Sequence, residues 1–580
     1  MNYPQIKPTL NLDFSNTKTL DPRINFRRGT PGAYYDGKTY AKAEENLVYP
    51  SIPDSNWTAN EYSITTNSAI APDGTTTASK IVLNNGITGS YNIEKLANVS
   101  INTFYTFSIY AKGEEFSIFN FDTQDSYFAQ VNVVVDLSTG SIIEKGVDVI
   151  DSSITDVGNG WYRIVMTGVA IATGSNKFVI RNFEDTGDGS SGFYLWGAQL
   201  EQRDSVTSYT KTDGTPITKY QPQLMFASPD QPRFDHDPIT GESKGLLIEE
   251  SRTNRFKNSI PGTVWSTVNV GSVTKNTSTA NYSIAPDGTN TATRWQWNIG
   301  STTSDRSILR QTTDSLAAGT IVTLSIYLKS NTGSNQLVAL HADGSIYSES
   351  VVTVTTEWQR FRYTYTAAGG AKNNGVEVKG GDSSSPHGSQ LTEQGDILIW
   401  GAQLEAGAFP TSYIKTSGAS ATRSADNASI TGENFSSWYR QDEGSIYVDS
   451  TKGNLGTSFA GYFSLHTEDF SNSEYYWLLH NSSDQFQFLV APAIASLTDG
   501  VDVSLGSQKA CVSWADDDFS MSVNGGAIQS DTSGPAKKNL AGLRIGFSPY
   551  SNSHYLNSTI KKLSYYPQRL TNEQLQQLTK

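Results

Sequence analysis

The sequence is short of the residues that most reactive chemistry uses. It has one cysteine, Cys511, and six histidines in 580 residues. A lone cysteine excludes an intramolecular disulfide, and its setting in QKACVSWADDD is that of a small apolar residue on a strand with no histidine close by to activate it. The histidines, His236, His341, His387, His466, His480 and His554, show no metal-ligand spacing such as His-Glu-x-x-His. A Gly-Lys-Ser phosphate loop and a nucleophile elbow are also missing. Charge is sparse at 17%, and 43 basic against 57 acidic residues leave a net charge of −14. Phosphate backbones are gripped by clustered Lys and Arg, so this balance argues against nucleic acid as a partner. No apolar run approaches the roughly 18 residues of a membrane span. The first residues, MNYPQIKPTLNLDF, carry neither a basic nor an apolar signal region, so synthesis in a cytoplasm without cleavage is expected. Helical periodicity is almost absent between residues 46 and 418.

Aromatic and turn-forming residues are plentiful instead: 29 Tyr, 24 Phe, 11 Trp and 49 Gly. That mixture suits β-structure with many turns, and the length asks for several domains. The order of the chain then shows itself as a repeat. Asn46 opens NLVYPSIPDSNW and Asn254 opens NRFKNSIPGTVW, each eleven residues before a tryptophan, Trp57 and Trp265. IAPDGTTTA and IAPDGTNTA follow, then TFSIYAK and TLSIYLK, then GWYRIVMT around Trp161 and EWQRFRYTYT around Trp358. Both series close on one phrase: YLWGAQLEQRDSVTSYTKT at 194–212 and LIWGAQLEAGAFPTSYIKT at 398–416. Spacing inside a marker is fixed, whereas spacing between markers varies, 104 residues from Trp57 to Trp161 against 93 from Trp265 to Trp358. Fixity belongs to paired strands and variation to loops, so the markers are read as the strands of a shared sandwich, jelly-roll in type.

These markers divide the chain into residues 1–45, an N-terminal segment with a hairpin; 46–218, the first module; 219–253, a connecting hairpin; 254–418, the second module; and 419–580, a further strand-rich domain. Residues 20–46 and 230–254 are read as related hairpins feeding the chain into each module, with a capacity to pair with neighbouring subunits. In the last domain SWADDDFSMSVNGG reads as a hairpin turning at its acidic tip, with Asn524-Gly525 at the next turn. Thr571 and Gln574 are placed to cap a closing helix that shares Leu575 and Leu578 on one face.

The repeated module, through its Asn-initiated strand with Trp, the Ala-Pro-Asp-Gly-Thr loop, Ser-Ile-Tyr-x-Lys, and Trp-Gly-Ala-Gln-Leu-Glu followed by Thr-Ser-Tyr, resembles the carbohydrate-binding-module-like, galactose-binding-type jelly rolls of bacteriophage tail fibres, head fibres and other virion proteins. GLLIEESRTN (245–254) is similar to the lead-in of such modules, and LDFSNTKTLDPRINFRRGTPGAYYDG to N-terminal segments of marine phage structural proteins. The last 150 or so residues, ending LSYYPQRLTNEQLQQLT, resemble the concanavalin A-like, LamG-type sandwich of phage tail proteins. The resemblance implies an all-β chain: tandem jelly rolls followed by a concanavalin A-like sandwich with a short C-terminal helix.

Trp196 and Trp400 stand between apolar neighbours and read as core. Aromatics outside the markers are the candidates for stacking on a sugar: Trp295 and Trp297 in RWQWNIG, and Tyr475, Tyr476 and Trp477 in SEYYWLL. Asp73 and Asp287 in the Pro-Asp-Gly loops, and Asp516, Asp517 and Asp518, offer carboxylates to Ca²⁺, although Pro, Asp and Gly also specify a turn unaided and an acidic hairpin tip is stable when solvated. No cofactor is required. Glu249 and Glu250 are adjacent, hence on opposite faces of a strand and poorly placed as an acid–base pair. The expectation is a non-enzymatic virion protein, a fibre, spike or capsid decoration. It is attached to other virion proteins through its N-terminal segment and displays sandwiches to a host-surface glycan, as a homo-oligomer guessed to be a trimer. The alternative is a polysaccharide depolymerase of tailspike type, which usually carries a long β-helix whose regular period is missing here.

Overall fold

The structure is a computed structural model. It describes all residues except 1–5, 89–90, 124–125, 183–185, 263, 333, 344–349, 382–390, 453–458, 469–473, 493, 501–504 and 550–552, and the side chain of 182. The regular structure of the described chain is nearly all strand, with two helices, Glu433–Ser436 and Asn572–Thr579. Neither is long and apolar enough to cross a membrane. Two compact units are present: residues 40–221 with 281–292, and residues 1–39, 222–280 and 293–580.

In the first of these, residues 46–218 form two six-stranded antiparallel sheets among the described residues. One runs Ser141–Lys145, Asn132–Asp136, Ile118–Thr123, Gly174–Asn182, Asn92–Val99, Thr58–Asn60; the other Asp151–Gly158, Trp161–Val169, Phe104–Gly113, Gly192–Glu201, Ala78–Leu83, Tyr62–Ala69. Every second residue points inward, so that Phe107, Phe119, Phe121, Phe178, Ile180, Phe193 and Leu195 fill the space between the sheets. The hairpin read from QVNVVVDLSTGSII is present, turning at Gly140 with φ 65°.

Residues 254–418 repeat the plan, with five strands in each sheet among the described residues. The strand orders correspond, except that the first module adds Ser141–Lys145 and Asp151–Gly158 at its edges. That edge pair occupies the stretch where the first module is longer between its tryptophans, so the variable spacing is two extra strands.

The remaining chain builds a third sandwich. One sheet runs Phe234–His236, Ser243–Ile248, Ser558–Tyr566, Gly444–Lys452, Gly506–Ala515, Asp518–Val523, Gln529–Asp531, with Leu10–Asp13 also lying on Ser558–Tyr566. The other runs Asn25–Arg27, Asn427–Thr431, Leu540–Ile545, Ala460–Thr467, Tyr475–His480, Phe486–Ala491, Ala495–Thr498. The acidic hairpin and the Asn524-Gly525 turn fall where the sequence puts them, and Thr571 and Gln574 close a capping box on the final helix.

Here the structure differs from the sequence-drawn boundaries. Residues 1–45 and 219–253 are not free-standing segments, because the first supplies a strand to each sheet of the C-terminal sandwich and the second supplies two strands to one of them. Asn25–Arg27 does not fold back as a hairpin; it pairs with Asn427–Thr431, while Gly32–Asn46 pairs with Ile217–Ala227. The second lead-in is a hairpin, Phe234–His236 with Ser243–Ile248. Strands of three and four residues have few ladder bonds of their own. They are held by Leu10, Leu12, Phe14 and Phe26, all in the sandwich core, where each such side chain contributes about 1.5–3 kcal/mol by leaving water.

Candidate functional site

The repeated phrase is the natural place to look for a site, and its atoms are already in use. Opposite Tyr110, the strand bulges: Trp196 faces Tyr110 and Gln199 faces Ser108, leaving Gly197 and Ala198 against a single partner residue. Gly197 takes φ 62°, and a Cβ there would meet the Tyr110 ring at 2.9 Å. The bulge turns the Ala198 N–H to the Ser51 carbonyl at 2.7 Å. Asn46 then donates to the Ala198 and Thr210 carbonyls at 2.9 and 2.8 Å, and Gln199 accepts from the Thr210 N–H at 2.6 Å. Glu201 accepts from the Thr207 N–H and hydroxyl at 3.0 and 2.5 Å, and Tyr209 shares its hydroxyl with Ser51 at 2.6 Å.

The second module repeats these bonds with Gly401, Asn254, Gln403, Glu405, Thr411, Tyr413 and Ser259. Trp196 and Trp400 are buried, as read from their neighbours. These asparagine, glutamine, glutamate and tyrosine side chains bond within their own chain, so the phrase fixes the fold.

The aromatic candidates are placed as follows. Trp295 and Trp297 are 0% and 1% exposed and pack against each other at a tilt of 35° in the second module's core; their N–H groups donate to Asn276 Oδ1 and the Thr392 carbonyl. Neither presents a face to a sugar. Tyr476 and Trp477 are buried in the C-terminal sandwich, with the Tyr476 hydroxyl accepting from the Lys537 N–H, and Tyr475 is half-buried.

The carboxylates are also engaged locally. Asp73 and Asp287 each accept the N–H and hydroxyl of a threonine two residues on, Thr75 and Thr289, which is the turn reading. Asp516 and Asp517 accept from the Ala536 and Gly534 N–H groups, and Asp518 pairs with Arg569 at 2.8 Å. Among the described residues no three His, Cys, Asp or Glu side chains come together as a metal site. Cys511 is buried, and burial pushes its thiol pKa up, away from reactivity.

A different surface carries unspent chemistry. On the first module's sheet that includes Ile118–Thr123 and Gly174–Asn182, alternation puts Phe119, Phe121, Phe178 and Ile180 inside and Asn120, Asp122, Lys177 and Arg181 outside. Arg181 lies across from Asn120 and pairs with Asp122 at 2.9 Å; Lys177 pairs with Glu94, from Asn92–Val99, at 3.0 Å. Asn120 is 6% exposed, and its side-chain oxygen is buried without a hydrogen-bond partner. An unmet buried acceptor costs about 1–3 kcal/mol, so it asks for an explanation.

The corresponding face of the second module carries Glu377, which accepts from His341 Nδ1 at 2.6 Å and from Arg306 Nε. Burial favours the neutral acid, but these two donors outweigh it and hold Glu377 below the usual carboxylate range. A search for aromatic platforms overlooks these faces. Their signal in the sequence is polar alternation, as in IFNFDT and KFVIRN.

No protein-family model and no curated protein matches the sequence. Among solved structures, the CBM40 of Ruminococcus gnavus IT-sialidase, bound to alpha2,6 sialyllactose, aligns at 12% identity over 24% of this chain and 85% of its own, with a TM-score of 0.22. The CBM22-1-CBM22-2 tandem domain of Paenibacillus barcinonensis Xyn10C aligns at 11% identity over 63% of this chain and 99% of its own, TM-score 0.19. The LG1-3 region of the laminin alpha2 chain aligns at 9% identity over 81% and 94%, TM-score 0.14.

Proposed function

We propose that the chain is a non-enzymatic component of a phage particle, a fibre, spike or capsid decoration, that holds host-surface glycans on the outward sheet faces of its jelly rolls. The observation behind this reading is the unpartnered Asn120 oxygen, set between donors and acceptors that are paired at the surface. A sugar hydroxyl is both donor and acceptor: it would give its hydrogen to Asn120 Oδ1 and take one from Arg181 or Lys177. Such a site is weak alone, and a homo-oligomer, taken as a trimer, would raise avidity by about 10²–10⁴ through linkage. The virion partner would engage the C-terminal sandwich, into which the N-terminal segment is built.

The test is a glycan array with the intact protein beside Asn120→Ala, followed by a reducing-end assay on any glycan retained. The expected result is retention by the native protein, at least tenfold weaker retention by the variant, and no new reducing ends. New reducing ends would favour the depolymerase, and no retention at all would leave a purely structural role.

A further inference from the structure

We infer that a buried charge cluster latches the C-terminal sandwich, which closes only when three separate stretches of the chain are all present; both jelly rolls are insertions into it. The stretches are residues 1–39, 222–254 and 419–580. The first module departs through Gly32–Asn46 and returns through Ile217–Ala227, two strands that pair. The second departs through Arg252–Asn254 and returns through Ala421–Arg423, which also pair. Chain that leaves and re-enters by adjacent strands is an insertion in the topological sense, tolerated because its ends are close together.

The latch is made of Arg28 from the first stretch, Arg233 and Glu249 from the second, and Arg423 and Asp426 from the third. All five side chains are 6% exposed or less. Arg28 reaches Asp426 Oδ1 at 3.0 Å and also donates to the Thr30 and Ser228 carbonyls. Arg233 donates to Asp426 Oδ2 and to Glu249 Oε2, the latter at 2.7 Å. Arg423 approaches Glu249 at 3.4 Å and Asp426 at 3.8 Å. Glu249 and Asp426 are also tied directly: the Glu249 N–H donates to the Asp426 side-chain Oδ2 and the Asp426 N–H to the Glu249 carbonyl, each at 2.9 Å.

The first stretch brings one arginine and no carboxylate, whereas the second brings an arginine with a glutamate and the third an arginine with an aspartate, so Arg28 alone depends on another stretch for its counter-charge. Burying Arg28 without Asp426 strands a charge in a medium that cannot solvate it, and Arg233 and Glu249 reach their full set of partners only with Asp426 and Arg423, so closure over the first two stretches is opposed until the third arrives. The strands around the cluster follow the same rule of three. Leu10–Asp13 and Ser243–Ile248 lie end to end along one edge of Ser558–Tyr566, against Lys562–Tyr565 and Ser558–Ile560 respectively. A product lacking residues 419–580 would leave Arg28 without its carboxylate, and Arg233 and Glu249 without Asp426 and Arg423, so the sandwich reports on the presence of all three stretches.

Hydrogen exchange followed by mass spectrometry on the full-length protein tests this with three variants. Arg28→Met is expected to lower protection about a hundredfold or more together in Ser243–Ile248, Asn427–Thr431 and Ser558–Tyr566, while Trp161–Val169 and Gly192–Glu201 keep theirs. Arg28→Lys, which retains charge but not the fork that bridges Asp426 and two carbonyls, should show the same three-segment pattern more weakly and keeps the test open if the methionine variant does not fold. Arg27→Met, at an exposed neighbour, should change nothing. Loss confined to residues 24–33, loss extending into the first module, or an Arg28→Lys protein indistinguishable from native would each overturn the latch.

Discussion

Arg28 and Asp426 are 398 positions apart in sequence and meet at 3.0 Å with both side chains fully buried. Asp426 also receives Arg233, so one carboxylate bridges guanidiniums from two other stretches of chain. Removing it with Asp426→Ala leaves Arg28 buried without its carboxylate and Arg233 and Arg423 sharing Glu249. The melting of the C-terminal sandwich by scanning calorimetry should reflect a loss of about 3–5 kcal/mol, with the first module's transition unchanged.

Acid should release the same cluster. Burial would raise the pKa of Glu249, but Arg423, Arg233 and the Ser412 N–H and hydroxyl overcome that and hold it at about 2. A carboxylate held below its unfolded value stabilises the fold above the unfolded pKa and stops doing so as pH falls through the folded one. Melting temperature should therefore drop between about pH 4.5 and 2, and Glu249→Gln should flatten that part of the curve. A curve unchanged by the substitution would count against a charged Glu249.

His466 and His480 give a second window, higher on the scale. Burial lowers His466 to about 4 and, with Lys452 adding to burial, His480 to about 3. Both are neutral in the folded protein where the unfolded chain would already be protonated, so stability is lost as pH falls from about 6.5 towards 4. A double His466→Gln, His480→Gln variant should lose this slope and keep the one due to Glu249, measured by melting against pH.

Gly197 and Gly401 should refuse a side chain. Each has a positive φ, 62° and 61°, and a Cβ would press on Tyr110 at 2.9 Å or Tyr327 at 3.0 Å. Gly197→Ala or Gly401→Ala should cost its own module about 1–3 kcal/mol, seen as a lower urea midpoint. An unchanged midpoint would show that the bulge does not need glycine.

Much of this was legible in the sequence because it is local. The WGAQLE and TSY phrases lie close together in the chain, and the distance from Glu201 to Thr207 or from Glu405 to Thr411 is set by one carboxylate closing one turn. The hairpins turning at Gly140 and at the acidic tip, and the capped helix, were equally readable from their turn and cap residues. The tryptophans of RWQWNIG carry a signal that a search for platforms overrides: Trp295, Trp297 and Ile299 alternate with Arg294, Gln296 and Asn298, so they share one face, and that face is the inner one.

What was not legible is which distant strand a short strand joins. LNLD and NFR show that one side of each must be covered, but period-two alternation is the same whichever partner covers it, and the partners begin more than 400 residues away. The outward face around Asn120 was hidden for a related reason. Polar residues on alternate positions look like solvated surface until the buried, unpartnered oxygen is seen.

The antiparallel pairing of Leu10 with Tyr565 has a mechanical consequence. The Thr9 N–H is bonded to the Tyr565 carbonyl at 3.0 Å, so the outer ends of these two strands lie side by side. A pull applied through those ends loads the ladder one bond at a time, like a zip, instead of shearing every bond at once. Until that seam opens, residues 40–221 and 254–418 are slack loops outside the line of force, and the jelly rolls would carry no tension.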